Sequence, residues 1–208
     1  GIGRFDNLRL TAPELRINWN PVTETWRNLQ FTRRNRTVFL SILGISWFWF
    51  YGATFLAQMP VFAKDVLGGD EMVVILVLTV FSLGIGAGSL LCERLSGRRV
   101  ELGLVPLGSI GLTVFAVDLY FATRGMAPAG QVGVAEFLAR QENRRVVYDL
   151  LLIGLFGGFY IVPLYALVQA RSAPDHRSRI IAANNILNAL FMVASALMAA
   201  TLLTVAGF

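Results

Sequence analysis

The side chains with chemical potential in this 208-residue chain lie within or beside long apolar runs. Asn184, Asn185 and Asn188 open the last run, and Asn184 and Asn188 lie one helical turn apart. Ser195 continues that face two turns on. Amides inside such a run must point into protein or a watery cavity. They serve either as hydrogen-bonding groups for a polar head or as inter-helix contacts. The first run carries Trp47, Phe48, Trp49, Phe50, Tyr51 and Phe55 near its middle rather than at its ends. At helical spacing Trp47, Tyr51, Thr54 and Gln58 share a face. That face suits a cavity wall for an amphiphile, or aromatic packing between helices. Asp118 stands inside the third run. It either handles a proton or reaches the membrane interface to pair with Arg124.

Other chemistries are excluded. Cys92 is the sole cysteine, so no disulfide forms within the chain. His176 is the sole histidine, which argues against a histidine metal site or catalytic relay. A lipid-acyltransferase His-x-x-x-x-Asp signature is absent, because Ile181 stands five residues after His176. No cofactor or metal is expected.

These residues must be positioned by helices in a bilayer. Five stretches, Val38–Phe62, Met72–Leu91, Leu102–Ala122, Val146–Gln169 and Ile180–Val205, are each long and apolar enough to cross it. About 20 apolar residues span a hydrocarbon core of about 30 Å. Lipid offers no partners to backbone polar groups, so each span is a helix. The fold class is therefore all-α integral membrane. Charged residues make up only 15% of the chain, against about 25% in an ordinary soluble domain. The net charge of +5 resides in loops, which marks topology rather than nucleic-acid binding.

Arginines flank alternate loops. Arg27, Arg33, Arg34 and Arg36 precede the first span, Arg94, Arg98 and Arg99 follow the second, and Arg171, Arg177 and Arg179 follow the fourth. The positive-inside rule places these regions and the N-terminal end in the cytoplasm. Lys64, Asp65, Asp70 and Glu71 then face the far side. The segment from Thr123 to Arg145, with Arg124, Arg140, Arg144 and Arg145, fits this scheme less well. Within it, Val134, Phe137 and Leu138 predict a short surface helix.

Residues 1–36 read as a cytoplasmic linker and residues 37–208 as the helical bundle. A short helix over Pro21–Leu29 is predicted, with Asn20 as N-cap, Pro21 in first position and Glu24 in the first turn. It would set Trp19 and Trp26 near the membrane surface, or simply pack them on the protein. Gly84 and Gly88 in the second span, and Gly154, Gly157 and Gly158 in the fourth, predict close helix packing. Pro163 predicts a kink in the fourth span. The start at Gly1 and the stop after an apolar run lead us to expect a segment of a longer protein.

The turn Gly88-Ser-Leu-Leu-Cys-Glu-Arg-Leu-Ser-Gly-Arg-Arg99 sets Glu93 beside Arg94, then Arg98 and Arg99. Such a charged latch holds two helices by ion pairs that break when they slide. It resembles the Gly-x-x-x-Asp-Arg-x-Gly-Arg-Arg signature of the major facilitator superfamily. It departs from that signature in Ser89, in Glu93 and in one residue inserted before Gly97. Trp19-Asn-Pro-Val-Thr-Glu-Thr-Trp-Arg27, Phe62-Ala-Lys-Asp-Val-Leu-Gly68 and Arg179-Ile-Ile-Ala-Ala-Asn-Asn-Ile-Leu-Asn-Ala-Leu-Phe191 resemble its lysophospholipid-transporter branch. They are most similar to the bacterial form fused to acyltransferase and acyl–acyl-carrier-protein synthetase domains.

The resemblance implies that the five spans are helices seven to eleven of a twelve-helix bundle, its C-terminal half. It implies a bacterial inner-membrane transporter that moves a lysophosphatidylethanolamine-like lysophospholipid by alternating access. The implied partners are the lipid bilayer, the lysophospholipid, a missing N-terminal six-helix half and fused enzyme domains. Helices nine and Asp118 with it would be peripheral, and the first and last spans would wall the cavity. The expected substrate-binding residues are Trp47, Tyr51, Gln58, Asn184 and Asn188, and the expected latch is Glu93, Arg94, Arg98 and Arg99. A membrane anchor for a phospholipid acyltransferase fusion is the competing reading. This segment itself is not expected to be an enzyme.

Overall fold

In the computed structural model the described residues are 21–97, 101–126, 130–172 and 177–206. The linker before Pro21, with Trp19 and Asn20, therefore lies outside them, as do Arg98, Arg99, Pro174 and His176. Among the described residues seven α-helices follow one another: α1 (Pro21–Arg33), α2 (Arg36–Val61), α3 (Glu71–Leu95), α4 (Leu104–Thr123), α5 (Val134–Ala139), α6 (Gln141–Ala170) and α7 (Arg177–Ala206). A wider π-type turn over Phe62–Val66 carries α2 onward. Five of these helices are long and apolar enough to cross a membrane. At about 1.5 Å per residue, the shortest, α4, measures about 30 Å.

Side-chain caps fix two starts. Asn35 Oδ1 accepts from the Val38 amide at 3.2 Å and opens α2. Asp70 Oδ1 accepts from the amides of Met72 and Val73, at 2.9 and 3.0 Å, and opens α3. Each satisfies first-turn N–H groups that have no partner within the helix. The short helix expected from Pro21 continues to Arg33, and the short helix expected in the third loop is α5. The helix α6 runs unbroken through Pro163.

The helix α6 is the hub: it packs along α3, α4 and part of α2, while α7 packs on α2 and α1. Glycine makes the α3–α6 contact possible. A Cβ on Gly84 would strike the Leu151 carbonyl, and one on Gly88 would strike that of Leu155. From the other side, a Cβ on Gly158 would meet Ser89 N at 2.6 Å. The two backbones touch, gaining dispersion contact where lipid supplies no hydrophobic drive.

Two apolar cores occupy opposite ends of the bundle. One gathers Val73, Val77, Leu119, Phe137, Val146 and Leu150. The other gathers Val38, Ile42, Ile45, Leu164, Val168 and Ile180. At the first end, Asp70 N donates to Val132 O at 3.1 Å and Val132 N donates to Gly68 O at 2.8 Å. The loops after α2 and after α4 thus meet on one side. At the other end Phe31, Arg34, Arg171 and Ile180 surround one pocket, which brings α1, α6 and α7 together.

Candidate functional site

The helix α2 is apolar nearly all round, and its two faces meet different neighbours. Towards α7, Ser46 Oγ donates to Asn188 Oδ1 at 2.9 Å, both groups buried. Two turns on, the hydroxyls of Thr54 and Ser195 lie 2.5 Å apart. Phe50 sets its ring edge-on to Phe191 between these two contacts. The polar stripe of α7 therefore meets a matching stripe on α2, forming a seam.

Towards α4 and α6, α2 borders a cavity of about 420 Å³. Trp47, Tyr51, Ser109, Thr113, Tyr120 and Tyr160 are among its walls. A second cavity of about 240 Å³ adjoins Tyr51 and is bordered by Gln58, Phe62 and Leu119. Tyr51 borders both, and its hydroxyl is buried with no hydrogen-bond partner among the described residues. An oxygen left unpaired among apolar walls is a polar handle for a molecule that enters. Trp47 stacks on Phe50 at 5.3 Å yet remains well exposed.

The expected binding residues therefore fall into two groups. Trp47, Tyr51 and Gln58 adjoin the paired cavities, as their shared helical face predicts. Thr54 borders the smaller cavity but bonds to Ser195 across the seam. Asn184 and Asn188 are buried on α7 and line neither cavity. Asn188 is held by Ser46, whereas Asn184 Oδ1 is buried without a partner, and its amide nitrogen reaches only Asn185 at 3.4 Å. The spacing of the amides shows a polar face but not which helix would cover it.

Of the expected latch, Glu93 and Arg94 lie exposed in the last turn of α3. Arg98 and Arg99 fall beyond the described residues. Ser96 and Gly97, the latter at φ 55°, close the helix.

Asp118 pairs with Arg145 rather than with Arg124. The backbone turns to an extended conformation at Arg124, immediately after α4, while α6 runs alongside and presents Arg145. Arg145 Nε donates to Asp118 Oδ2 at 3.1 Å, and its Nη2 donates to Oδ1. Sequence reasoning missed a third member, Asp149, buried on α6 one turn after Arg145. The available signal was the i, i+4 spacing of Arg145 and Asp149 at the mouth of an apolar run.

The comparisons with known proteins agree with this architecture. The family model for the Major Facilitator Superfamily matches residues 7–206. The chain is 32% identical over 173 residues to the lysophospholipid transporter LplT of Serratia proteamaculans (strain 568), covering 78% of this chain and 37% of that protein. It is 31% identical over 170 residues to LplT of Pectobacterium carotovorum subsp. carotovorum (strain PC1), covering 78% and 36%. The chain thus spans little more than a third of the length of these curated relatives. No solved structure is significantly similar to it. With five apolar helices of membrane-spanning length and a family match across nearly its whole length, the chain belongs to the Major Facilitator Superfamily.

Proposed function

We propose that this chain is part of a transporter that moves a lysophosphatidylethanolamine-like lysophospholipid across a bacterial inner membrane by alternating access. The observation that carries this reading is the identity to lysophospholipid transporters over 78% of the chain. The geometry supports it. A single acyl chain is a long apolar object, and the paired cavities beside α2 are apolar with isolated hydroxyls. In this reading the five spans are helices seven to eleven of twelve, and a six-helix half precedes them. Residues 1–36 form the cytoplasmic linker between the halves. Rocking of one half against the other moves the site from one side to the other.

Trp47, Tyr51 and Gln58 then border the acyl chain. Asn184 offers a buried, unpaired carbonyl to the polar portion, and Asn188 becomes available when α2 and α7 part. The cavities border one face of α2 and α7 with its amides packs on another, so they serve successive stages rather than one bound pose. Glu93, Arg94, Arg98 and Arg99 form the cytoplasmic latch. A phosphodiester head calls for an arginine, and the charge is supplied by the preceding half or the cytoplasmic mouth.

The similarity of Trp19–Arg27 and Arg179–Phe191 to the fused bacterial form favours soluble acyltransferase and synthetase domains in the same parent protein. A pure anchor is the second reading. Cells carrying the full-length parent with its acyltransferase centre disabled separate the two. Labelled extracellular lysophosphatidylethanolamine accumulates on the cytoplasmic side if the membrane region transports. It stays outside, as in cells lacking the protein, if that region only anchors.

A further inference from the structure

The pocket at the α1 end of the bundle, about 220 Å³, has walls of two kinds. Phe31, Val38 and Ile180 make an apolar side, while Arg34, Asn35 and Arg171 make a polar one. Asn35 is engaged, since its Oδ1 accepts from the Val38 amide. The arginines are not: neither forms an ion pair among the described residues. They reach the pocket from distant points of the chain. Arg34 stands in the turn between α1 and α2, where its amide donates to Phe31 O. Arg171 caps the end of α6, where its amide donates to Leu167 O. The surrounding charge has one sign. Stretches 27–36 and 171–179 hold seven arginines and one acidic residue, Asp175.

Orienting a membrane protein requires arginines in its loops. It does not require two of them to line one concavity with an apolar side. Like charges in such a place repel unless an anion joins them. The guanidinium fork matches phosphate oxygens, with two parallel N–H···O bonds. Basic pockets between spans on the cytoplasmic side suit acidic lipid heads. A zwitterionic head would bring an ammonium group to a pocket that offers it no carboxylate among the described residues. We propose that this pocket binds the phosphate head of an anionic phospholipid, held between Arg34 and Arg171 with its glycerol against Phe31, Val38 and Ile180.

The site is separate from the paired cavities beside α2. Its lipid is a resident, not the cargo, and it comes from the cytoplasmic leaflet if the proposed topology holds. Bound there, it would tie the turn after α1 to the end of α6 and so clip the linker helix to the bundle.

Native mass spectrometry of the delipidated full-length protein in detergent, titrated with phosphatidylglycerol or phosphatidylethanolamine, reads this without any transport step. Phosphatidylglycerol should bind the more tightly. Arg34→Gln and Arg171→Gln should each weaken its binding by about fivefold. Arg36→Gln, at an exposed position outside the pocket, should not. Inorganic phosphate at millimolar concentration should not displace the lipid, because it has nothing to set against the apolar side. Should the glutamine variants fail to insert, Arg34→Lys keeps the orienting charge but loses the planar fork, and should still bind more weakly. Unchanged binding in the arginine variants, an equal loss in Arg36→Gln, equal binding of the two lipids, or displacement by inorganic phosphate would each overturn the proposal.

Discussion

Ser46 on α2 and Asn188 on α7, 142 positions apart in sequence, are joined by a buried 2.9 Å hydrogen bond with Ser46 as donor. Together with Thr54 and Ser195 it defines the α2–α7 seam. Inter-helix polar contacts in membranes average about 0.6 kcal/mol and reach about 1.7. Asn188→Leu and Ser46→Ala should each lower stability, and the double variant should cost less than their sum by a coupling energy within that range. Denaturant unfolding of the full-length protein in detergent measures this cycle. Strict additivity would mean that the bond contributes nothing.

The same asparagine separates packing from transport. Asn188→Leu should reduce lysophospholipid transport several-fold while the protein still inserts. Leu190→Ala, at an exposed position two residues away, should not. Transport assays at matched protein levels check this. Equal damage from both changes would assign Asn188 to packing alone.

Glycine positions on α3 divide sharply. Gly88 meets the Leu155 backbone, whereas a Cβ on Gly86 meets nothing within 4 Å. Gly88→Ala should therefore force α3 and α6 apart at a cost of about 1–3 kcal/mol. Gly86→Ala should be neutral or slightly stabilising, since alanine is the better helix former. Melting temperatures of the two variants decide the point, and equal values would contradict the contact.

The proposed topology is motivated by the arginine-rich loops and by the meeting of the Gly68–Gly69 and Val132 segments on one side. In a Cys92→Ser background, Asp65→Cys and Gly130→Cys, both at exposed positions, should react with an impermeant thiol reagent from outside the cell. Gly97→Cys should react only from the cytoplasm. Labelling of Gly130→Cys from the cytoplasm alone would invert the assignment of the third loop.

The spans were legible because apolar length is a property of sequence alone. Their ends were less so. The second apolar run stops at Leu91, yet α3 continues to Leu95, since water satisfies the polar groups of a helix that emerges from the core. The fourth run begins at Val146, while α6 begins at Gln141 for the same reason. The glycines announced close helix packing without naming the α3–α6 pair, and the shared face of Trp47, Tyr51, Thr54 and Gln58 left a cavity wall and aromatic packing as alternatives. Neighbour choice was hidden. A helix that is apolar all round gives no direction for its partners, so the placement of Asn188 against Ser46 could not be read. The bond from Arg145 to Asp118 and the burial of Asp149 depend on how α4 lies along α6, which no local pattern encodes.

Arg94, at the cytoplasmic end of α3 in this account, should act in the transport cycle more than in folding. Arg94→Ala should lower the transport rate while leaving protein level and melting temperature unchanged. A parallel fall in all three would mark it as a residue of topology or stability.

The most direct test places the purified full-length protein in liposomes containing a trace of labelled lysophosphatidylethanolamine in one leaflet. Extraction with albumin then measures how fast the lipid changes sides. The account predicts movement far faster than in protein-free liposomes, selective for the single-chain lipid over its two-chain counterpart, and slowed by Asn188→Leu. Movement at the protein-free rate would contradict the claim that this chain belongs to a lysophospholipid transporter.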